Sequence, residues 1–372
     1  MGIELLNFLK KKKKGQPNTG NGLKTLEPEK VPEYQAGIQE DGKSIIRLVS
    51  NKKVKKPYRV SGIDDVASKN NWKAWLYLAP VIVLVVIFLL YPLINTIFIS
   101  FTDNYKYATG KYDGFTINNF GVILGITTYN GVPLEFFRDI ALVNTFILTF
   151  VTVPLSIALA LLISVLLNSI KAFQKILQTV FFLHYVTNAI AIGMVFSVLF
   201  NDQGLINFIF GLQHAGANGS PMHWIVNADP KVARIPLCLF IVWNSIPFKI
   251  LILLSGLQGI DKQYYQAAQI DAAPKWKTFW RVTVPLLSPQ ILYLMITSFI
   301  GAFKEYSSIV SIFGKKGESQ SNTKNMYTVV FYVYDNISDQ TSFAAAAAVF
   351  LFVIILIFTF FQFWVSSKRV HY

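Results

Sequence analysis

From Trp75 onward the chain reads as long apolar runs separated by short polar ones. Six runs reach the roughly 20 residues that a helix needs to cross a bilayer core. They are Trp75–Ser100, Ile140–Asn168, Thr179–Phe200, Ile235–Leu257, Leu286–Phe313 and Phe343–Val365. Each is too long for a strand, and none alternates with a period of two. In lipid every backbone N–H and C=O must be satisfied within its own segment, which leaves helices. The pattern therefore predicts an all-α integral membrane protein with six transmembrane helices over residues 73–372.

Residues 1–72 read differently: polar, lysine-rich, dotted with Gly and Pro, and without an apolar run of spanning length. They are expected to form a basic cytoplasmic tail, partly disordered. Ile3 to Leu9, running into Lys10–Lys14, has two readings. One is a short amphipathic helix on an anionic membrane surface, each lysine contributing about 1 kcal/mol. The other is a flexible solvated tail. In a secretory signal the basic residues would precede the apolar patch; here they follow it, and no cleavage site appears.

Composition agrees with this division. Charged residues make up 15% of the chain and hydrophobic ones 53%, with a mean hydropathy of +0.44; a soluble domain carries about a quarter charged residues. The net charge of +14 would suit a nucleic acid or a membrane surface. Its placement decides between them: the excess lies in the tail and beside the apolar runs, with no aromatic-interleaved basic motif, so no nucleic-acid partner is expected. Cys238 is alone, so no disulfide framework exists. The histidines His184, His214, His223 and His371 lack ligand spacing, and no metal site is expected. No G-x-x-x-x-G-K-[ST] stretch occurs, Gly314-Lys315-Lys316 included, so the chain is not expected to hydrolyse ATP itself. No His/Asp/Glu cluster suggests catalysis either.

Basic residues favour the cytoplasmic side of a membrane. With the tail inside, six spans place Lys171, Lys175, Lys262, Lys275, Lys277, Arg281, Lys368 and Arg369 inside as well. The outer loops hold Lys106, Lys111, Arg138, Lys231, Lys315, Lys316 and Lys324, accompanied by acids. The tail decides the orientation: both termini of this multi-pass chain are expected on the cytoplasmic side of the membrane.

The loop at 259–289 carries the most informative pattern. It predicts a short helix ending near Pro274, because the residue before a proline avoids helical angles. Ala267, Ala268, Ala272 and Ala273 give it a small-residue surface, while Tyr264, Tyr265 and Ile270 supply apolar anchors. Such a helix could dock in a partner's groove, or rest on the membrane surface with Phe279 and Trp280 packed behind it.

This loop resembles the EAA motif of permease subunits of ATP-binding-cassette importers, particularly the maltose-type, multi-sugar group. The matching residues are Gln266-Ala267-Ala268, Asp271-Ala272-Ala273 and Val282-Thr283-Val284-Pro285, with Tyr265, Phe279, Trp280 and Pro289 echoing the extended sugar-permease form. The likeness runs from Trp75 to Tyr372, taking in Asn144-Thr145, Phe200-Asn201, Gly204 to Asn207, Trp243 with Pro247, and the ending from Phe343 through Arg369. Two positions depart from it: the family's Glu is Gln266 here, and its Gly is Ala272. In the family that Glu helps hold the ATPase subunit through a charged contact; a glutamine would keep a hydrogen bond but lose the charge-assisted share, about 1.5–3 kcal/mol for a charged group against about 1 for a neutral one.

The resemblance implies a type I importer permease fold, and a coupling role for Tyr265, Gln266, Ala267, Ala268, Asp271, Ala272, Ala273 and Pro285. It also implies partners: a second homologous permease, two ATPase subunits holding the ATP and Mg that this chain lacks, and an extracytoplasmic solute-binding protein docking on the outer segments 201–234 and 314–340.

Polar groups inside spans need a reason, since one charge at a helix centre costs about 2.5–3.5 kcal/mol. Asn188, Asn244, Ser245, Ser298, Lys304 and Glu305 are such groups. Either Lys304 and Glu305 face a wet interior or they sit near the outer membrane face. The neutral ones serve a pathway or hold helices together, at about 0.6 kcal/mol per hydrogen bond. By resemblance the solute contacts fall on Asn244, Ser245, Phe248, Ser298, Gly301, Ala302 and Glu305; Asn188 joins them as a polar group within the third span. The implied solute is an oligosaccharide; glycerol phosphate or a polyamine remains open, as does, from another class, an ion-coupled secondary transporter.

Overall fold

The computed structural model describes residues 34–38, 44–48, 71–129, 132–133, 136–170, 174–216, 219–320 and 324–366. The chain divides into two compact units, 1–78 and 79–372. Within the first, Tyr34–Ile38 pairs antiparallel with Ser44–Leu48, Tyr34 opposite Leu48. No element was expected there, although Asp41-Gly42 between the two stretches is a turn signal. The expected basic patch at Lys10–Lys14 and the Ile3–Leu9 segment lie outside the described residues, as do Lys171, Lys368, Arg369 and His371.

Among the described residues four helices are long and apolar enough to cross a membrane: Trp75–Ser100, Phe137–Ser169, Pro230–Gly259 and Thr341–Ser366. They are the first, second, fourth and sixth spans, where the hydropathy pattern puts them. The third and fifth are bent pairs. Gln174–Val186 meets Ala189–Leu199 at 94°, and Lys275–Leu286 meets Ser288–Phe303 at 67°. Counting each pair as one span makes six.

The first bend corrects an expectation of one continuous helix, the second falls at the start of the apolar run Leu286–Phe313, and both have local causes. At the first, Asn188 is extended (ψ 115°) and its side chain accepts the N–H of Ile190, capping the second half as a new helix. At the second, Pro285 and Pro289 flank Leu287, whose ψ of 0° departs from helical geometry. The fifth span also ends sooner than the apolar run Leu286–Phe313 suggests. It stops at Phe303, and Ser307–Phe313 forms a separate short helix.

The second and fourth spans make the most extensive helix pair. Thr145, Thr149, Thr152 and Ser156 are buried on one face of the second span, and fully buried Ala160 extends that face. Thr145, Thr152 and Ser164 return their hydroxyl protons to the carbonyl four residues earlier, at 2.6–2.7 Å, so they enter the interior already satisfied. The small residues let the helices approach, and Ser164 Oγ also lies 3.4 Å from the Ile250 carbonyl of the fourth span. In the sixth span Ala344 to Ala347 are buried in the same way, where that helix meets Tyr91–Ser100 and Val329–Asn336.

Candidate functional site

The second, third, fourth and fifth spans line an open cavity of about 360 Å³, within the range of small-molecule sites. Of the eight predicted pathway positions, seven line it: Asn244, Ser245, Phe248, Ser298, Gly301, Ala302 and Glu305. Asn188 does not. Its side chain caps the helix break while its neighbours Thr187 and Ala189 reach the cavity.

Pro247 explains part of the geometry. Lacking an N–H, it leaves the Trp243 carbonyl without its helical donor at the level of Asn244. One wall is aromatic, with Tyr185 stacked on Phe248 at 5.3 Å and 24°. Gly301 has open space where a Cβ would stand, so it widens the cavity and separates no packed helices.

Lys304 and Glu305, adjacent in sequence, part company. Lys304 caps the fifth span and is exposed. Glu305 faces the cavity and accepts the Ser308 N–H at 3.0 Å, while its own carbonyl accepts the Thr328 hydroxyl at 2.7 Å.

Sequence reasoning missed Lys249. It lies in the fourth span, is 4% exposed, and lines the cavity. Its ammonium donates to Ser156 Oγ at 2.8 Å and Ser245 Oγ at 2.9 Å. A lysine inside the apolar run Ile235–Leu257 was a visible signal, being as costly there as Lys304. Ser156, Thr152 and Tyr185 were also missed. They become neighbours of the fourth span only through packing.

At one end of the bundle, asparagines fasten the loops. Asn144 donates to the carbonyls of Asn325 and Tyr327, both at 2.9 Å, and accepts from Arg234 Nε at 3.0 Å. Thr145 accepts the Val329 N–H at 2.9 Å. Asn207 donates to the Asp202 and Met222 carbonyls and accepts the Trp224 indole N–H at 2.7 Å. Beside them burial, reinforced by the charge of Asp335, pushes the Tyr332 hydroxyl up to about 12, so it stays protonated.

The loop at 259–289 begins with helix Lys262–Ile270, capped by Asp261, whose side chain accepts the Gln263 N–H at 3.0 Å. Gln266, Ala267 and Asp271 point outward and Ile270 is 85% exposed, whereas Tyr265, Ala268 and Ala273 are half-buried. Tyr265 shares a hydrogen bond with Thr283 at 3.2 Å, anchoring the helix to the start of the fifth span. The helix ends with the Ala273 N–H on the Ala268 carbonyl at 2.9 Å, and Ala272 takes a left-handed φ of 47°. Pro285 follows a π-helical turn, Phe279–Thr283, just ahead of the bend.

A helical bundle with an open, partly polar cavity among its spans, and an exposed short helix between two of them, is the architecture of a membrane transport component. Residues 152–371 match the family described as binding-protein-dependent transport system inner membrane component, and the chain belongs to it. Among curated proteins it is similar to the lactose transport system permease protein LacF of Rhizobium radiobacter, at 28% identity over 79% of this chain and 94% of that one. It is similar to the arabinooligosaccharides transport system permease protein AraP of Bacillus subtilis, at 28% over 80% and 89%. The sn-glycerol-3-phosphate transport system permease protein UgpA of Agrobacterium fabrum is 27% identical over 83% of this chain and all of that one. Among solved structures, a chain of a bacterial ABC transporter that imports the acidic polysaccharide alginate shares the fold, with a TM-score of 0.64 and 21% identity over 83% of this chain and 99% of that chain.

Proposed function

We propose that the chain forms the translocation pathway of an ATP-driven importer for a carbohydrate, an oligosaccharide delivered by an extracytoplasmic binding protein. The convergence of seven predicted pathway residues from two spans on one cavity carries this reading. Hydroxyls, an amide and a stacked aromatic pair are the groups that hold sugar hydroxyls and sugar ring faces. Relatives named for lactose and arabinooligosaccharides support it. The Lys249 ammonium in the cavity opposes a polyamine.

A second homologous permease would close the cavity on the side where Tyr185 and Gly301 are exposed. Two ATPase subunits, carrying ATP and Mg, would dock at helix Lys262–Ile270 on the cytoplasmic face of the bacterial inner membrane. Both termini lie on that face, and the binding protein docks on the end fastened by Asn144 and Asn207. Closure of the ATPases would move the 262–270 helix, and Tyr265 would pass that motion to the fifth span through Thr283.

The test uses the whole importer, purified with its partner subunits and reconstituted in liposomes. Ala267 points outward, so Ala267→Trp should disturb docking and leave the bundle folded. The expected outcome is ATP hydrolysis that no longer drives uptake. Full sugar uptake by this variant would end the docking model, and an importer taking up only non-carbohydrates would end the sugar reading.

A further inference from the structure

The ammonium of Lys249 is placed as a charge waiting for a partner. Ser156 Oγ donates its proton to the Val153 carbonyl at 2.9 Å, and Ser245 Oγ donates to the Val242 carbonyl at 2.9 Å. With their protons committed to the backbone, both hydroxyls present only lone pairs to Lys249. Both hydroxyls can therefore accept an N–H of the Lys249 ammonium. An ammonium has three N–H donors, and among the described residues only two are matched. No carboxylate pairs with it there. Glu305 lines the same cavity, but one of its oxygens is held by the Ser308 N–H and no ion pair joins it to Lys249. The other cavity-lining side chains from the second, third and fifth spans are uncharged. Buried charges are ordinarily paired, since desolvation without a counter-charge is costly. Here Lys249 lines a space large enough for a solute.

We propose that the transported solute is acidic, and that its carboxylate or phosphate docks on Lys249 while its hydroxyls meet Asn244 and Ser298 and a sugar ring lies against Tyr185 and Phe248. This rests on reading the cavity as a carbohydrate pathway. It adds the charge of the solute and makes Lys249 the residue that selects it.

Direct binding to the assembled importer in lipid nanodiscs tests this without the selectivity of the binding protein. The probes are trigalacturonate, a neutral trisaccharide of the same size, and sn-glycerol 3-phosphate. The wild type should bind one of the two acidic probes roughly ten-fold or more tightly than the neutral one, as expected when a charge-assisted contact replaces a neutral one. Whichever acid leads identifies the group as carboxylate or phosphate. Lys249→Met, similar in length and uncharged, should erase the preference, and Lys249→Arg should retain it. Equal binding of neutral and acidic probes to the wild type would overturn the inference while leaving the carbohydrate reading intact. A folded Lys249→Met importer that kept the preference would overturn it too. Binding of none of the three would sink both readings. The wild-type ranking needs no variant, so the inference stays testable if Lys249→Met does not fold.

Discussion

Ala272 sits at a φ of 47°, a left-handed conformation that costs an L-residue about 1–2 kcal/mol and glycine very little. This gives a structural reason for the glycine at that place in related coupling loops: the chain must turn sharply between the 262–270 helix and Pro274. Ala272→Gly should therefore raise stability by about 1 kcal/mol, relief of strain outweighing the added freedom of the unfolded chain. Thermal unfolding of the purified importer would show it as a higher midpoint, and an unchanged or lower midpoint would count against the account. Asn144 is the opposite case, with every side-chain donor and acceptor in use. Asn144→Leu strands two carbonyls and a guanidinium N–H in a buried place, at about 1–3 kcal/mol for each group left without a partner. The expected result is an importer that melts well below the wild type, or a chain that fails to accumulate. Asn144 was legible in the sequence only as a family likeness. What it grips lies 181 and 183 residues away.

Among the elements, the bent third span shows how local chemistry overrides hydropathy. The apolar run from Thr179 to Phe200 is long enough to cross straight through, yet Asn188 starts a new helix inside it. An N-cap contributes about 1 kcal/mol, so Asn188→Ala should lower stability by that order and reduce transport, because Thr187 and Ala189 at the same break line the cavity. Normal transport by a destabilised variant would show that the bend does not shape the pathway. Two glycines make a sharper pair. A Cβ on Gly193 would collide with Ser311, where the second half of the third span crosses the 307–313 helix; Gly193→Ala should cost about 1–3 kcal/mol as overpacking. A Cβ on Gly301 would meet nothing within 4 Å. Gly301→Ala should then keep its melting temperature and alter solute affinity, measured by uptake. If the two variants changed places in these assays, the assignment of one glycine to packing and the other to the cavity would be wrong.

For the molecule as a whole, the medium is the deciding factor. Much of the first span is exposed in the isolated chain, from Trp75 to Leu90, as expected for a helix facing lipid or another membrane subunit. Val83, 52% exposed in the middle of that stretch, should accept Leu with little change. Val83→Arg should reduce the membrane-inserted fraction, since a charge at the centre of a span costs about 2.5–3.5 kcal/mol. Carbonate extraction of membranes would report this, and full insertion of the arginine variant would place Val83 away from the apolar core.

Hydropathy by itself determined that the chain is built of helices apolar enough to span a membrane, and where four of the spans run. It could do so because the cost of bare backbone in lipid acts on each segment separately, whatever its neighbours are. The spacing of alanines and aromatics between the fourth and fifth spans was likewise local, and it exposed the loop that the family likeness reads as the coupling element. Tertiary structure alone decided that Thr152, Ser156 and Tyr185 share one cavity with Asn244, Ser298 and Glu305, that Asn188 serves as a cap, and that Lys249 lies buried between Ser156 and Ser245. Those relations depend on which helix faces meet between segments far apart in the chain, Lys249 and Ser156 being 93 positions apart. No pattern within a single helix encodes the face its partner will present.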